Sequence, residues 1–187
     1  MMEKDSMAER SLAGCVMAAH PSLSDPNFHH SVVLISAHGA KDGAIGVIIN
    51  RPTGHSLGAL REDVQTPLLQ NLPVYAGGPV SPNEILLVAW KWNLAEQNFR
   101  LFFGVEPEAL EHLVRQDPTI EARAFVGYAG WSAGQLEMEL SRFDWAPGPF
   151  LQPFGKHAPQ TLWRYFLDEI RPEWGILADF PDDPSMN

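Results

Sequence analysis

Gly127-Tyr128-Ala129-Gly130-Trp131-Ser132-Ala133-Gly134-Gln135-Leu136-Glu137 is the stretch on which the fold turns. Before it, Ala122 to Tyr128 is a short apolar run with strand character. After it, Leu136, Leu140 and Phe143 recur at helical spacing and predict a helix over Ser132 to Phe143. The glycines between let a strand pass sharply into a helix, because glycine adopts backbone angles closed to other residues. Within the turn, Gly130-Trp131-Ser132-Ala133-Gly134 fits G-x-S-x-G, the elbow that exposes a serine nucleophile in α/β-hydrolases. Asp144 and His157 follow in the chain order such an enzyme needs, so Ser132, Asp144 and His157 form an alternative catalytic set. A structural account is preferred. Ser132 with Gln135 three residues on makes a capping box, worth about 1 kcal/mol without any catalysis. Too little strand character follows Ser132 to complete a hydrolase sheet, and His157 is the sole downstream histidine.

Outward from the turn, strands are predicted at Ala13 to Ala19, Ser31 to Ala37, Ala44 to Asn50, Val74 to Ala76, Ile85 to Trp90 and Phe99 to Phe103, with a further short one at Trp174 to Ala178. Gly39-Ala40-Lys41-Asp42-Gly43 supplies a hairpin connection. Pro107 suits a first helical position, and Leu110, Leu113 and Val114 carry the helix to Asp117-Pro118. A third helix, Thr161 to Ile170, gathers Leu162, Trp163, Phe166, Leu167 and Ile170. Strands early with helices interspersed predict an α+β fold with a mixed sheet, not a doubly wound parallel one. Residues 11–180 read as a single domain, flanked by polar tails at 1–10 and 181–187.

The bulk properties exclude several classes. The chain has 187 residues, is 45% hydrophobic and 19% charged, and so is sized for one well-buried domain. No window approaches the ~18 apolar residues of a membrane span. The N-terminal residues mix acids and bases without an apolar core, so no signal peptide is expected. Cys15 is the only cysteine, which excludes an intramolecular disulfide and fits a reducing, cytoplasmic setting. With a net charge of -10 and its thirteen basic residues scattered, the chain is not expected to grip nucleic acid directly, although the fold could still gather a local basic patch.

Four further segments carry polar chemistry. His20-Pro21-Ser22-Leu23-Ser24-Asp25-Pro26-Asn27-Phe28-His29-His30 is a polar loop between two strands, with Asp25 as turn initiator. Its histidines lack metal-ligand spacing, and His29 and His30 would point to opposite faces if they began a strand. No metal or cofactor is expected. Asn50-Arg51-Pro52 ends a strand, where Arg51 could anchor a carboxylate or phosphate or pair with an acid of the chain. Gly77-Gly78 is a tight turn whose amides could cradle an anion, although no P-loop lysine follows. Tyr128 and Trp131 could stack on a ligand or pack into the core.

Taken in order, Pro21-Ser22-Leu23 to Asp25-Pro26-Asn27-Phe28 with Ser31-Val32-Val33, Gly43-Ala44-Ile45-Gly46 leading into Ile49-Asn50-Arg51-Pro52, and Gly77-Gly78-Pro79-Val80 resemble the motifs of the YqgE/AlgH family. So does Gly127-Tyr128-Ala129-Gly130-Trp131 followed by Gly134-Gln135-Leu136-Glu137 and Trp145. The resemblance runs from about Leu12 to Trp145. It implies a bacterial, cytoplasmic α+β domain whose mixed sheet is partly curled into a small barrel, with surrounding helices. It also implies the label of a transcriptional regulator, without a transferable catalytic residue or cofactor. In that family the position of Ser132 is often glycine, which argues for a turn over a nucleophile. The expectation is therefore a binding or regulatory protein, more readily a non-enzyme than an enzyme. It would use Asp25, Asn50, Arg51, Tyr128, Trp131 and Gln135 toward a protein or small-molecule partner. A serine hydrolase remains the alternative.

Overall fold

The computed structural model describes residues 11–39, 41–93, 98–150 and 157–179. The tails expected at 1–10 and 181–187 lie outside them. The chain forms two compact units. Of the described residues, the first takes those up to Gly46 together with those from Gly130 onward, and the second takes those within Val47–Ala129.

The first unit is built on β1 (Cys15–Ala19), β2 (Val32–Gly39), the start of β3 (Gly43–Ile48) and β9 (Trp145–Pro149). β1 lies between β2 and β9 and is antiparallel to both, with Val16 opposite Leu34 and Met17 opposite Pro147. Val16 to Ala19 and Val32 to Ile35 are fully buried, the continuous apolar runs of a sheet covered on both faces. Helix α5 (Pro159–Ile170) packs on β1, β2 and β9 through an apolar stripe, Leu162, Trp163, Phe166 and Leu167. The Trp163 indole donates to the Ala19 carbonyl at 2.8 Å. Trp174 to Ala178 is not the expected strand: Pro172 starts a second helix, α6 (Pro172–Leu177), directly after α5. Five residues are too few for periodicity to separate the two, and the proline at a first helical position decides it.

The second unit carries a mixed sheet. β5 (Pro73–Ala76) is antiparallel to β4 (Pro52–Ser56) and parallel to β8 (Glu121–Trp131). On the other side of β8 runs β6 (Val80–Asn93), antiparallel, followed by β7 (Asn98–Phe103). Helices α1 (Leu57–Leu60), α2 (Pro67–Gln70) and α3 (Pro107–Gln116) contribute Leu57, Leu69 and Leu110 to a cluster over Val74, Leu87, Ala89 and Ala124. At the end of α3 the Asp117 carboxyl is pulled down to about 2 by its bonds to Lys91 and Thr119.

The mixed sheet agrees with expectation; the small barrel does not. Among the described strands β4, β7 and β9 each have a strand on one side only, so the sheet is not closed. Pro147 and Pro149, two residues apart, remove two N–H groups from the same side of β9. β4 begins at Pro52 and pairs irregularly with β5. Both ends are thereby blunted against further pairing. No described helix is long and apolar enough to cross a membrane.

Candidate functional site

The turn from strand to helix is held by a carboxylate that sequence reasoning overlooked. Helix α4 (Gln135–Ser141) begins three residues later than expected, with Gly134 as its N-cap at φ 75°. Gln135 and Glu139 lie four apart on one helical face, and the Gln135 amide donates to Glu139 Oε1 at 2.9 Å. The indole N–H groups of Trp131 and Trp145 both donate to Glu139 Oε2 at 2.8 Å. These rings are 6% and 3% exposed, so a single carboxylate satisfies two buried donors. Phe28 completes the cluster, 6.1 Å from Trp131 and 5.5 Å from Trp145 between ring centroids.

Asp25 places Phe28 there. Its carboxylate accepts from the Asn27 N–H at 2.8 Å, and its carbonyl accepts from the Phe28 and His29 N–H groups. This is the Asx-type turn that aspartate before proline favours. The polar loop is thus shaped to hold an aromatic ring against the turn. His29 and His30 do not begin a strand, since β2 starts at Val32. With His30 at φ 52°, the two rings stack at 3.7 Å, and His30 in turn stacks on Trp163 at 3.8 Å. The Ser22 N–H donates to His20 Nδ1, and burial holds His20 below the usual imidazole value, outweighing the raising effect of Asp144.

Half of the capping box is present. Gln135 Oε1 accepts from the Ser132 N–H at 3.0 Å, as expected, but the Ser132 hydroxyl lies 3.1 Å from that same oxygen rather than capping the helix. The His157 ring stacks on Tyr165 at 3.9 Å, and the Asp144 carbonyl accepts from the His20 N–H. Among the described residues no hydrogen bond links Ser132, Asp144 and His157 to one another. His38 is also engaged at both ring nitrogens: the Leu12 N–H donates to Nδ1, and Nε2 lies 2.8 Å from Glu137 Oε1. The described residues contain no group of three or more His, Cys, Asp or Glu arranged to hold a metal.

Asn50, Arg51 and Tyr128 lie in the second unit. The Arg51 carbonyl accepts from the Ala76 N–H at 2.9 Å, and the neighbouring Ile49 carbonyl accepts from Arg123 at 3.3 Å. Arg123, which looked like one more scattered base, lies over Tyr75 at 4.5 Å and Trp90 at 5.3 Å. Burial pulls its guanidinium below the ordinary value, against the raising effects of Tyr75 and Glu121. The Gly77-Gly78 pair is not an open anion cradle. The Gly77 N–H donates to Val126, and a Cβ on Gly78 would come within 2.3 Å of the Tyr128 backbone.

Helix α4 ends in strain. Phe143 has φ 62° and is 63% exposed, while the Asp144 N–H bonds back to Glu139 and the Phe143 N–H to Leu140. Glycine is the residue usually found at this left-handed position. Phe143→Gly is expected to raise stability by about 1 kcal/mol, measured by urea denaturation.

The chain matches the family model described as DUF179, AlgH-like, over residues 16–175. A UPF0301 protein of Streptomyces coelicolor is 38% identical over 95% of this chain and 96% of the relative. One from Xanthomonas campestris is 36% identical over 74% of this chain and 77% of that protein. The solution structure of the AlgH protein from Pseudomonas aeruginosa superposes with a TM-score of 0.64 at 26% identity, covering 97% of this chain and 98% of that one. The crystal structure of protein DIP2367 from Corynebacterium diphtheriae gives 0.65 at 24% identity, covering 90% and 92%, a likeness of fold.

Proposed function

The chain belongs to the AlgH-like family, and from that premise we propose that it is a cytoplasmic binding or regulatory protein that acts through contact with a protein or small ligand. The observation that carries this is the state of the turn. The Ser132 hydroxyl and the Gln135 amide are used within the turn, and the carboxylate of Glu139 is spent on two indoles. A serine nucleophile needs a base within about 3 Å; the hydrogen bonds here serve the fold. Contact through protein or small ligand is favoured over DNA by the net charge of -10. The family match over residues 16–175 supports treating residues 11–180 as one functional domain.

The proposed contact residues are Asp25, Trp131 and Gln135 in the first unit and Asn50, Arg51 and Tyr128 in the second. Trp131 contributes through the shape of the turn rather than an open ring face, since it is 6% exposed. Affinity capture with the tagged full chain from a bacterial lysate is expected to retain one saturable partner. Arg51→Ala should reduce that capture ~10-fold, the loss of one charge-assisted anchor, in a variant whose cooperative unfolding shows it folded. Fluorophosphonate labelling of the wild type that disappears in Ser132→Ala would overturn the proposal in favour of a hydrolase.

A further inference from the structure

β4 and β9 carry their own stops, in Pro52 with its irregular register and in Pro147 and Pro149. β7 has none. Asn98-Phe99-Arg100-Leu101-Phe102-Phe103 contains no proline or glycine and pairs with β6 in unbroken register from Asn93↔Asn98 to Val88↔Phe103. No strand lies on its other side among the described residues. Such an edge offers the N–H and C=O of every second residue to an incoming strand.

The charges beside this edge are arranged unusually for so acidic a chain. Lys91 and Arg100 stand directly opposite one another across the ladder, a like-charge pair that disfavours the pairing. Lys91 is relieved by Asp117. Arg100 is exposed and has no carboxylate partner among the described residues. A cavity of about 720 Å³ adjoins the edge, lined by Arg100, Phe102, Leu113, Gln116 and Ile120 among others. That volume lies within the range of ligand pockets and is ample for an apolar side chain.

We infer that β7 receives an added strand from a partner protein: an extended segment with an acidic side chain opposite Arg100 and an apolar side chain beside it in the cavity next to Phe102. Main-chain bonds supply the affinity and alternate side chains the selectivity, as in other cases of strand addition. A second copy fits less well, because each chain carries -10 and self-pairing brings Arg100 near its own copy. The inference rests on the reading of the protein as a binding protein and names one surface for it.

The test titrates the full-length isotope-labelled chain with the blocked peptide Thr-Val-Thr-Glu-Thr-Val-Thr, which sets valine on the same face as the glutamate. Saturable amide shifts concentrated at Asn98–Phe103 are expected. Arg100→Glu, at an exposed position, should weaken binding ~10-fold and favour the peptide with a central lysine. N-methylating the peptide on its ladder side should abolish binding. Amide shifts absent from β7 at millimolar peptide, or an affinity indifferent to Arg100→Glu, would overturn the inference. So would a concentration-dependent dimer whose β7 amides are protected without peptide. If β7 fails while partner capture stays Arg51-dependent, this inference alone falls; if capture fails too, the binding function falls with it.

Discussion

Gly43→Ala is expected to destabilise the protein by more than about 4 kcal/mol, a loss reserved for a few kinds of substitution. Gly43 is buried at φ 88°, in the left-handed region, where a side chain alone costs about 1–2 kcal/mol. An added Cβ would also lie 2.1 Å from the Trp131 carbonyl oxygen and within 3.2 Å of two further backbone atoms. No flexible side chain stands there to swing away, so the turn itself must move. Moving Trp131 drags its indole from Glu139 and its ring from Phe28. Gly134→Ala is the control: φ is 75°, but nothing lies within 4 Å of the new Cβ, and a loss of only about 1 kcal/mol is expected. Urea midpoints with an unchanged m-value check both.

Glu139→Ala carries the second large effect, a loss of about 3–5 kcal/mol. Two indole N–H groups that are almost fully buried lose their acceptor, each costing about 1–3 kcal/mol, and the Gln135 amide loses its partner as well. Glu139→Gln retains one carbonyl oxygen but turns an amide toward donors. It should fall between, at about 1–3 kcal/mol. Equilibrium unfolding followed by tryptophan fluorescence separates the three proteins.

Much of this fold was legible in periodicity. β2, β3, β7, α3 and α5 lie within a residue or two of their sequence expectations, because each has an apolar pattern long enough to declare its period. β4 and β9 were missed because Pro52, Gly54, Pro147, Gly148 and Pro149 mask strand character at edges, where proline is tolerated. The turn at Gly127 to Glu137 was legible as a turn, but its chemistry was not. Glu139 sits outside the motif, and only its spacing from Gln135 and two indoles in need of an acceptor pointed to it. Arg123 was equally hidden, since its aromatic neighbours Tyr75 and Trp90 come from distant strands.

The glycines of the family-like segments now have a shared physical role. Gly43, Gly46, Gly77, Gly78 and Gly127 each stand where a Cβ would meet backbone oxygen at 2.4 Å or less. They permit close approach of chain to chain and leave the chemistry of any ligand to other residues.

Glu139, and not Ser132, holds the turn together, through Gln135 and the indoles of Trp131 and Trp145. The most direct measurement is the pair of indole N–H resonances of Trp131 and Trp145, with their exchange rates, in the wild type, Glu139→Gln and Ser132→Ala. Two downfield, slowly exchanging signals are expected, both moving in Glu139→Gln and both staying in place in Ser132→Ala. Signals that ignore Glu139→Gln, or that move when Ser132 is replaced, would contradict it.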